Sequence, residues 1–98
     1  MANRFEIEPS PGVTVSSLAS AATSATLRES NPARRGLIVH NTDANGLYLK
    51  YGTTASATSF TVLIPGGSMW EMPMPVYTGR IDVIWAADGS GSAYYTEL

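Results

Sequence analysis

The feature that most constrains this chain is a rhythm: short runs of alternating apolar residues, cut off by turn-forming clusters every ~8–12 residues. In an extended strand every second side chain points to the same face, so alternation marks a strand with one buried side. Leu47-Tyr48-Leu49-Lys50-Tyr51 sets Leu47, Leu49 and Tyr51 on one face. Phe60-Thr61-Val62-Leu63-Ile64 does the same for Phe60, Val62 and Ile64, and Arg80-Ile81-Asp82-Val83-Ile84-Trp85 for Ile81, Val83 and Trp85. Gly36-Leu37-Ile38-Val39-His40 is a further β-rich run, and it ends in the turn cluster Asn41-Thr42-Asp43-Ala44-Asn45-Gly46. Asn45-Gly46 predicts a hairpin turn there, because both residues tolerate positive φ. Pro65-Gly66-Gly67 ends the strand that closes at Ile64, and Pro73 and Pro75 stop a short Met69-Trp70-Glu71-Met72 strand. Asp88-Gly89-Ser90-Gly91 turns into a last strand over 93–97.

Between residues 13 and 29 the chain is rich in Ser, Thr and Ala, with no charged side chain from Gly12 to Leu27. Alanine favours helix, but a helix facing water wants charged pairs, and Ser and Thr compete with its backbone. Two short strands near 13–18 and 25–29 fit better. Asn31-Pro32 then breaks the chain, since the residue before proline is held extended. Residues 1–12, with the breaker cluster Pro9-Ser10-Pro11-Gly12, read as an extended N-terminal arm. The expectation is all-β: an antiparallel β-sandwich or jelly roll of about eight short strands, formed by a single domain over 13–98 behind that arm.

Composition narrows the function. Only 14% of the 98 residues are charged and the net charge is -2, which gives no basic face for nucleic acid and no polybasic patch for a membrane surface. No apolar run approaches the ~20 residues of a spanning helix. Met1 to Glu8 mixes Arg4, Glu6 and Glu8, so no secretory signal is expected. The chain has no cysteine, hence no disulfide framework and no thiolate metal site. A small, staple-free domain with a neutral Ser/Thr/Asn/Gly surface is easy to dock closely, because few charges have to be desolvated.

Nothing in the sequence reads as an active site, and no cofactor or metal is expected. His40 is the only histidine and Asp43 its only near carboxylate, so His40 reads as a strand-end residue bonded to a turn. Gly89-Ser90-Gly91 is a flexible turn and not a nucleophile elbow. Gly66-Gly67 lacks the Lys-Ser/Thr of a phosphate cradle. Asp82 lies on the outward face of its strand and Asp88 in a turn, which does not make a carboxylate pair. Interface candidates are Phe5 and Ile7 on the arm, the basic pair Arg34 and Arg35, Trp70 beside the proline-rich loop, Tyr77, and Tyr94. Tyr94 and Tyr95 are adjacent on a strand, so one of them faces out.

These residues carry a resemblance. Asn31-Pro32-x-Arg34-Arg35-x-Leu37 is followed by Val39-x-Asn41, then Leu47-Tyr48-Leu49-x-x-Gly52, Phe60-Thr61, Pro65-Gly66-Gly67, Tyr77-Thr78-Gly79-x-Ile81 and Ile84-Trp85. In order and spacing they resemble small structural proteins of tailed bacteriophages, in particular capsid cement (decoration) proteins, over residues 31 to 98. The resemblance implies a β-sandwich or jelly-roll subunit that joins the virion from the host cytoplasm. It further implies a homotrimer at three-fold positions, bracing the major capsid protein, with no catalytic residue to carry over. A tail or neck component is the nearest alternative. A carbohydrate-binding β-sandwich on a virion fibre, with Trp70 and Tyr77 stacking a sugar, comes from another class.

Overall fold

The computed structural model describes residues 13–98; the expected arm, with Phe5 and Ile7, lies outside them. The described residues form eight strands: β1 (Thr14–Ala19), β2 (Ala25–Arg28), β3 (Leu37–Asn41), β4 (Leu47–Tyr51), β5 (Val62–Ile64), β6 (Met69–Glu71), β7 (Ile81–Trp85) and β8 (Ser92–Glu97). They make two four-stranded antiparallel sheets, one in the order β1-β8-β3-β6 and the other β2-β7-β4-β5. The expectation of about eight short strands and no helix holds for the described residues.

The order identifies the sandwich as a jelly roll. The chain changes sheet at every connection except β4 to β5, so every strand but β5 pairs with one distant in sequence: β1 with β8, β2 with β7, β3 with β6, β4 with β7. One consequence corrects the hairpin expected at Asn45-Gly46. β3 and β4 belong to different sheets, and neither residue takes a positive φ. The cluster turns the chain over the end of the sandwich instead of reversing it within a sheet.

The alternating faces fill the interior. Leu37, Val39, Leu47, Leu49, Ile64, Ile81, Val83, Trp85 and Ala93 are buried between the sheets, with Leu18, Tyr51, Val62 and Trp70 packed at the margin. Burying one such aliphatic or aromatic side chain stabilises by ~1.5–3 kcal/mol, and these residues supply the main driving force for the fold. Phe60 departs from the expectation. The strand begins only at Val62, and Phe60 is exposed, its ring edge-on to Tyr48 at 4.8 Å on the outer side of the second sheet.

Alternate crossing collects the connections at two ends. The loops after β1, β3, β5 and β7 meet at one end: Ser20 N donates to Gly91 O at 3.0 Å and Gly67 N to Asn41 O at 2.8 Å. The loops after β2 and β6 meet the chain terminus at the other, where Asn31 N donates to Thr78 O and Arg35 N to Leu98 O, both at 2.8 Å. The 52–61 loop, between β4 and β5, folds back across the outer face of the second sheet, where Ala55 is buried.

Candidate interaction surface

Each end of the sandwich is closed by a buried polar cluster, and these clusters account for the charged side chains that reading the sequence left open. At the terminus end the register between β2 and β7 slips by one residue from Thr26 to Arg28. The slip turns Arg28 towards the gap between the sheets, where its Nη2 donates to Glu97 Oε1 at 2.7 Å. Glu97 stands on β8 at the inward parity of Ala93 and Tyr95, and Arg34 Nε donates to its other oxygen at 2.6 Å. The rest of the Arg34 guanidinium donates to the carbonyls of Tyr77, Gly79 and Glu29 at 2.8–2.9 Å. Burial by itself would raise the Glu97 pKa; the bonds and charges of Arg34 and Arg28 outweigh it and hold the carboxyl below its ordinary value.

Arg34 therefore corrects an expectation: its side chain has no exposed surface and joins three segments of its own chain. A planar fork with several fixed donors suits this role, whereas a point charge does not. The preceding turn is self-made, with Asn31 Oδ1 accepting from Ala33 N at 3.0 Å and Asn31 O from Arg34 N at 3.0 Å. Arg35 is half-buried beside the terminal strand.

At the opposite end Asn41 is fully buried and bonded on all sides. Its Nδ2 donates to Asn45 O at 2.8 Å and Ile64 O at 3.0 Å, while its Oδ1 accepts from Asp43 N and Trp85 Nε1, both at 3.1 Å. Asp43 accepts from Gly91 N at 2.8 Å, Asn45 N at 3.0 Å and Asn45 Nδ2 at 2.9 Å. The Gly91 amide foremost, then those of Asn45, holds the Asp43 carboxyl below its usual range. Gly66 and Gly91 lie so close that a Cβ on either would overlap the backbone of Ala44 or Asp43. Asn41 has both donors and both acceptor positions engaged, Asp43 accepts from three amide N–H groups of its own fold, and His40 is exposed on β3, away from Asp43 on the outer face.

Asp82 lies on the outward parity of β7, as expected, yet it is buried, because the 52–61 loop covers it. Thr54 N donates to its Oδ2 at 2.6 Å and Arg80 Nε to its Oδ1 at 2.9 Å. Burial pushes its pKa up, and Arg80 with the Thr54 amide more than reverses the push. Asp88 accepts from Ala22 N at 2.7 Å across the other end, so the two aspartates are not a pair. Among the described residues no three His, Asp or Glu side chains gather to hold a metal ion.

The remaining candidates divide. Tyr77 lies flat on Tyr51, with ring centroids 4.4 Å apart, and Trp70 is tilted against Tyr51 at 6.3 Å; both are half-buried and packed on the core. Tyr94 is 51% exposed while Tyr95 is buried, so Tyr94 is the outward member of that pair. It lies on the outer face of the first sheet, in a row with Ser17, His40 and Met69; the next row is Val15, Thr96, Ile38 and Glu71. Val15, Met69 and Tyr94 are all more than half exposed. No loop among the described residues crosses this face, in contrast to the second sheet. Val15, Ile38 and Met69 went unmarked in the sequence; their signal is an apolar side chain at the outward parity of a strand.

No family model, no curated protein and no solved structure matches this chain.

Proposed function

We propose that this protein is a non-catalytic structural subunit that works by docking, and that it is a cement protein of a tailed-phage head. It binds the outside of the major capsid lattice and assembles with copies of itself, as a trimer in the form the motif resemblance implies. The observation that supports docking is the outer face of the first sheet. Val15, Ile38, Met69 and Tyr94 spread over all four of its strands, with Glu71 as its one carboxylate. Meanwhile the buried ionisable groups Arg34, Asp43, Asp82 and Glu97 are all held in contacts of the fold itself. Apolar groups on show and charges committed inside make a surface whose burial costs little desolvation and removes apolar area from water.

The choice of a phage head rests on the motif resemblance, and the jelly roll, shared by capsid and lectin domains, agrees with it only by analogy of fold. Arg34, Gly66, Tyr77 and Gly79, four residues of those motifs, serve the turns and end clusters of the sandwich. A sugar platform at Trp70 and Tyr77 gains nothing from the geometry, since one face of Tyr77 is taken by Tyr51. Sedimentation of the purified protein at micromolar concentration, followed by co-pelleting with undecorated capsids, tests the proposal. An oligomer that pellets with capsids is expected; a monomer that stays in the supernatant overturns it.

A further inference from the structure

Among the described residues, the four edge strands of the sandwich are unequal. β5 has three residues and runs into Pro65, β6 has three and is followed by Pro73, and β2 has four, with a register slip and a terminal arginine. Shortness, proline, bulges and charge are the devices that keep a sheet edge from pairing with another chain. β1 has none of them. Its six residues, Thr-Val-Ser-Ser-Leu-Ala, include no charge and no proline, and they pair with β8 without a break from Thr14↔Glu97 to Ala19↔Ser92. Ser20 N donates to Gly91 O just beyond that ladder. By the alternation of an antiparallel pair, Thr14, Ser16 and Leu18 direct their peptide groups to β8, and Val15, Ser17 and Ala19 direct theirs away from it.

We propose that β1 is a self-pairing edge: two copies join β1 to β1, antiparallel about a two-fold axis, into one continuous eight-stranded sheet. This rests on the reading that the protein assembles with copies of itself, and names the strand through which it does so. A second copy fits the edge because pairing β1 with β1 brings no charged side chains together, and the only polar side chains it places at the seam are the hydroxyls of Ser and Thr. The pleat limits the register, since residues opposite one another must share a face. Ser17 then faces Ser17 of the second copy, with Val15 opposite Ala19 and Ser16 opposite Leu18; two residues over, Ser16 faces Ser16. Either register also joins the two outer faces, so that the Val15–Tyr94 stripe runs on from one copy to the next. A two-fold contact gives even-numbered assemblies: dimers, or hexamers where a three-fold contact is also made.

The absence of cysteine makes the edge testable without background. Ser17→Cys and Ser16→Cys are placed singly in the full chain, with Ser59→Cys on the exposed 52–61 loop as control. Opposite Cα atoms in such a ladder lie ~4.5–5.5 Å apart, within disulfide range. Under mild oxidation one or both β1 variants should give a covalent dimer roughly 10²-fold faster than Ser59→Cys, as pairing raises the local thiol concentration from micromolar to millimolar. Ser17→Lys, which sets two like charges at or beside the axis in either register, should halve the sedimenting mass and leave thermal unfolding of the subunit in place. An oligomer that ignores Ser17→Lys and never cross-links faster than the control overturns the β1 contact while leaving assembly intact; this includes an edge occupied by residues 1–12 or by another protein. An unmodified protein that sediments as a monomer overturns both.

Discussion

Replacing Arg34 by methionine removes a guanidinium that donates to Glu97 and to three carbonyls from two other segments. Glu97 keeps Arg28 at 2.7 Å, so the cost should sit at the lower end of that for breaking a buried pair, ~3 kcal/mol, read as a lower urea midpoint. Arg34→Lys should recover less than half of it, since one ammonium cannot serve four acceptors in one plane. Asn41→Ala strands Trp85 Nε1 and the Ile64 carbonyl in the interior and should cost ~2–4 kcal/mol in the same assay. The three lowered carboxyls set the pH dependence. Asp43, Asp82 and Glu97 favour their charged forms in the fold, so their contribution is complete above the unfolded value of ~4 and is lost as pH falls through the lower folded values. Urea midpoints should be flat from neutral pH down to ~5 and drop below ~4, with a shallower drop in Arg34→Met, where Glu97 has lost its main cation. The sequence carried part of this. A glutamate at the inward parity of Ala93 and Tyr95, and an asparagine at that of Leu37 and Val39, announce buried polar groups. Apart from the turn at Asp43 and Asn45, their partners lie more than 20 residues from Asn41 and more than 60 from Glu97 and leave no local mark.

The 52–61 loop behaves as an element in its own right. Thr54 takes a φ of 61°, a left-handed backbone that a β-branched side chain enters only at a cost, and its amide is tied to Asp82. Thr54→Gly should be neutral or stabilise by up to ~1 kcal/mol, and Asp82→Asn should speed hydrogen exchange at Thr54 and Ala55 while the amides of β4 and β7 stay protected. Small polar residues predicted a loop over 52–58, but not that it lies down on a sheet, which depends on a carboxylate 28 residues further on. Asn45-Gly46 teaches the same lesson from the opposite side. The pair does turn the chain, yet whether a turn returns a strand to its own sheet or carries it to the other is set by which edges remain to be paired. Gly66→Ala and Gly91→Ala press on backbone and not on a flexible side chain. Each should lower the thermal midpoint by several degrees, about 1–3 kcal/mol of overpacking.

For the whole molecule, the decisive property is where charge is and where it is not. Ion pairs at Glu97 and Asp82 lie under other segments, and the outer face of the first sheet, which no described loop crosses, carries Glu71 as its one carboxylate. Association through that face should therefore be nearly indifferent to salt: sedimentation at low ionic strength and at ~0.5 M NaCl should give the same mass, whereas a contact between charged surfaces would weaken. Met69→Lys together with Tyr94→Lys should abolish docking and leave the unfolding free energy of the subunit, read from urea curves, within ~0.5 kcal/mol of the parent, because both side chains point to water in the free subunit.

The sequence by itself determined the strands and their buried sides, because both follow from a period of two and from turn chemistry, which are local. β7 is the clearest case, with Ile81, Val83 and Trp85 all inside as their spacing requires. Only the tertiary structure decided that β1 pairs with β8, that Arg34 is interior, and that a described loop covers one sheet while none crosses the other. Those outcomes depend on hydrogen bonds and ion pairs between residues far apart in the chain, and no local pattern records which distant partner a strand edge or a buried charge will find.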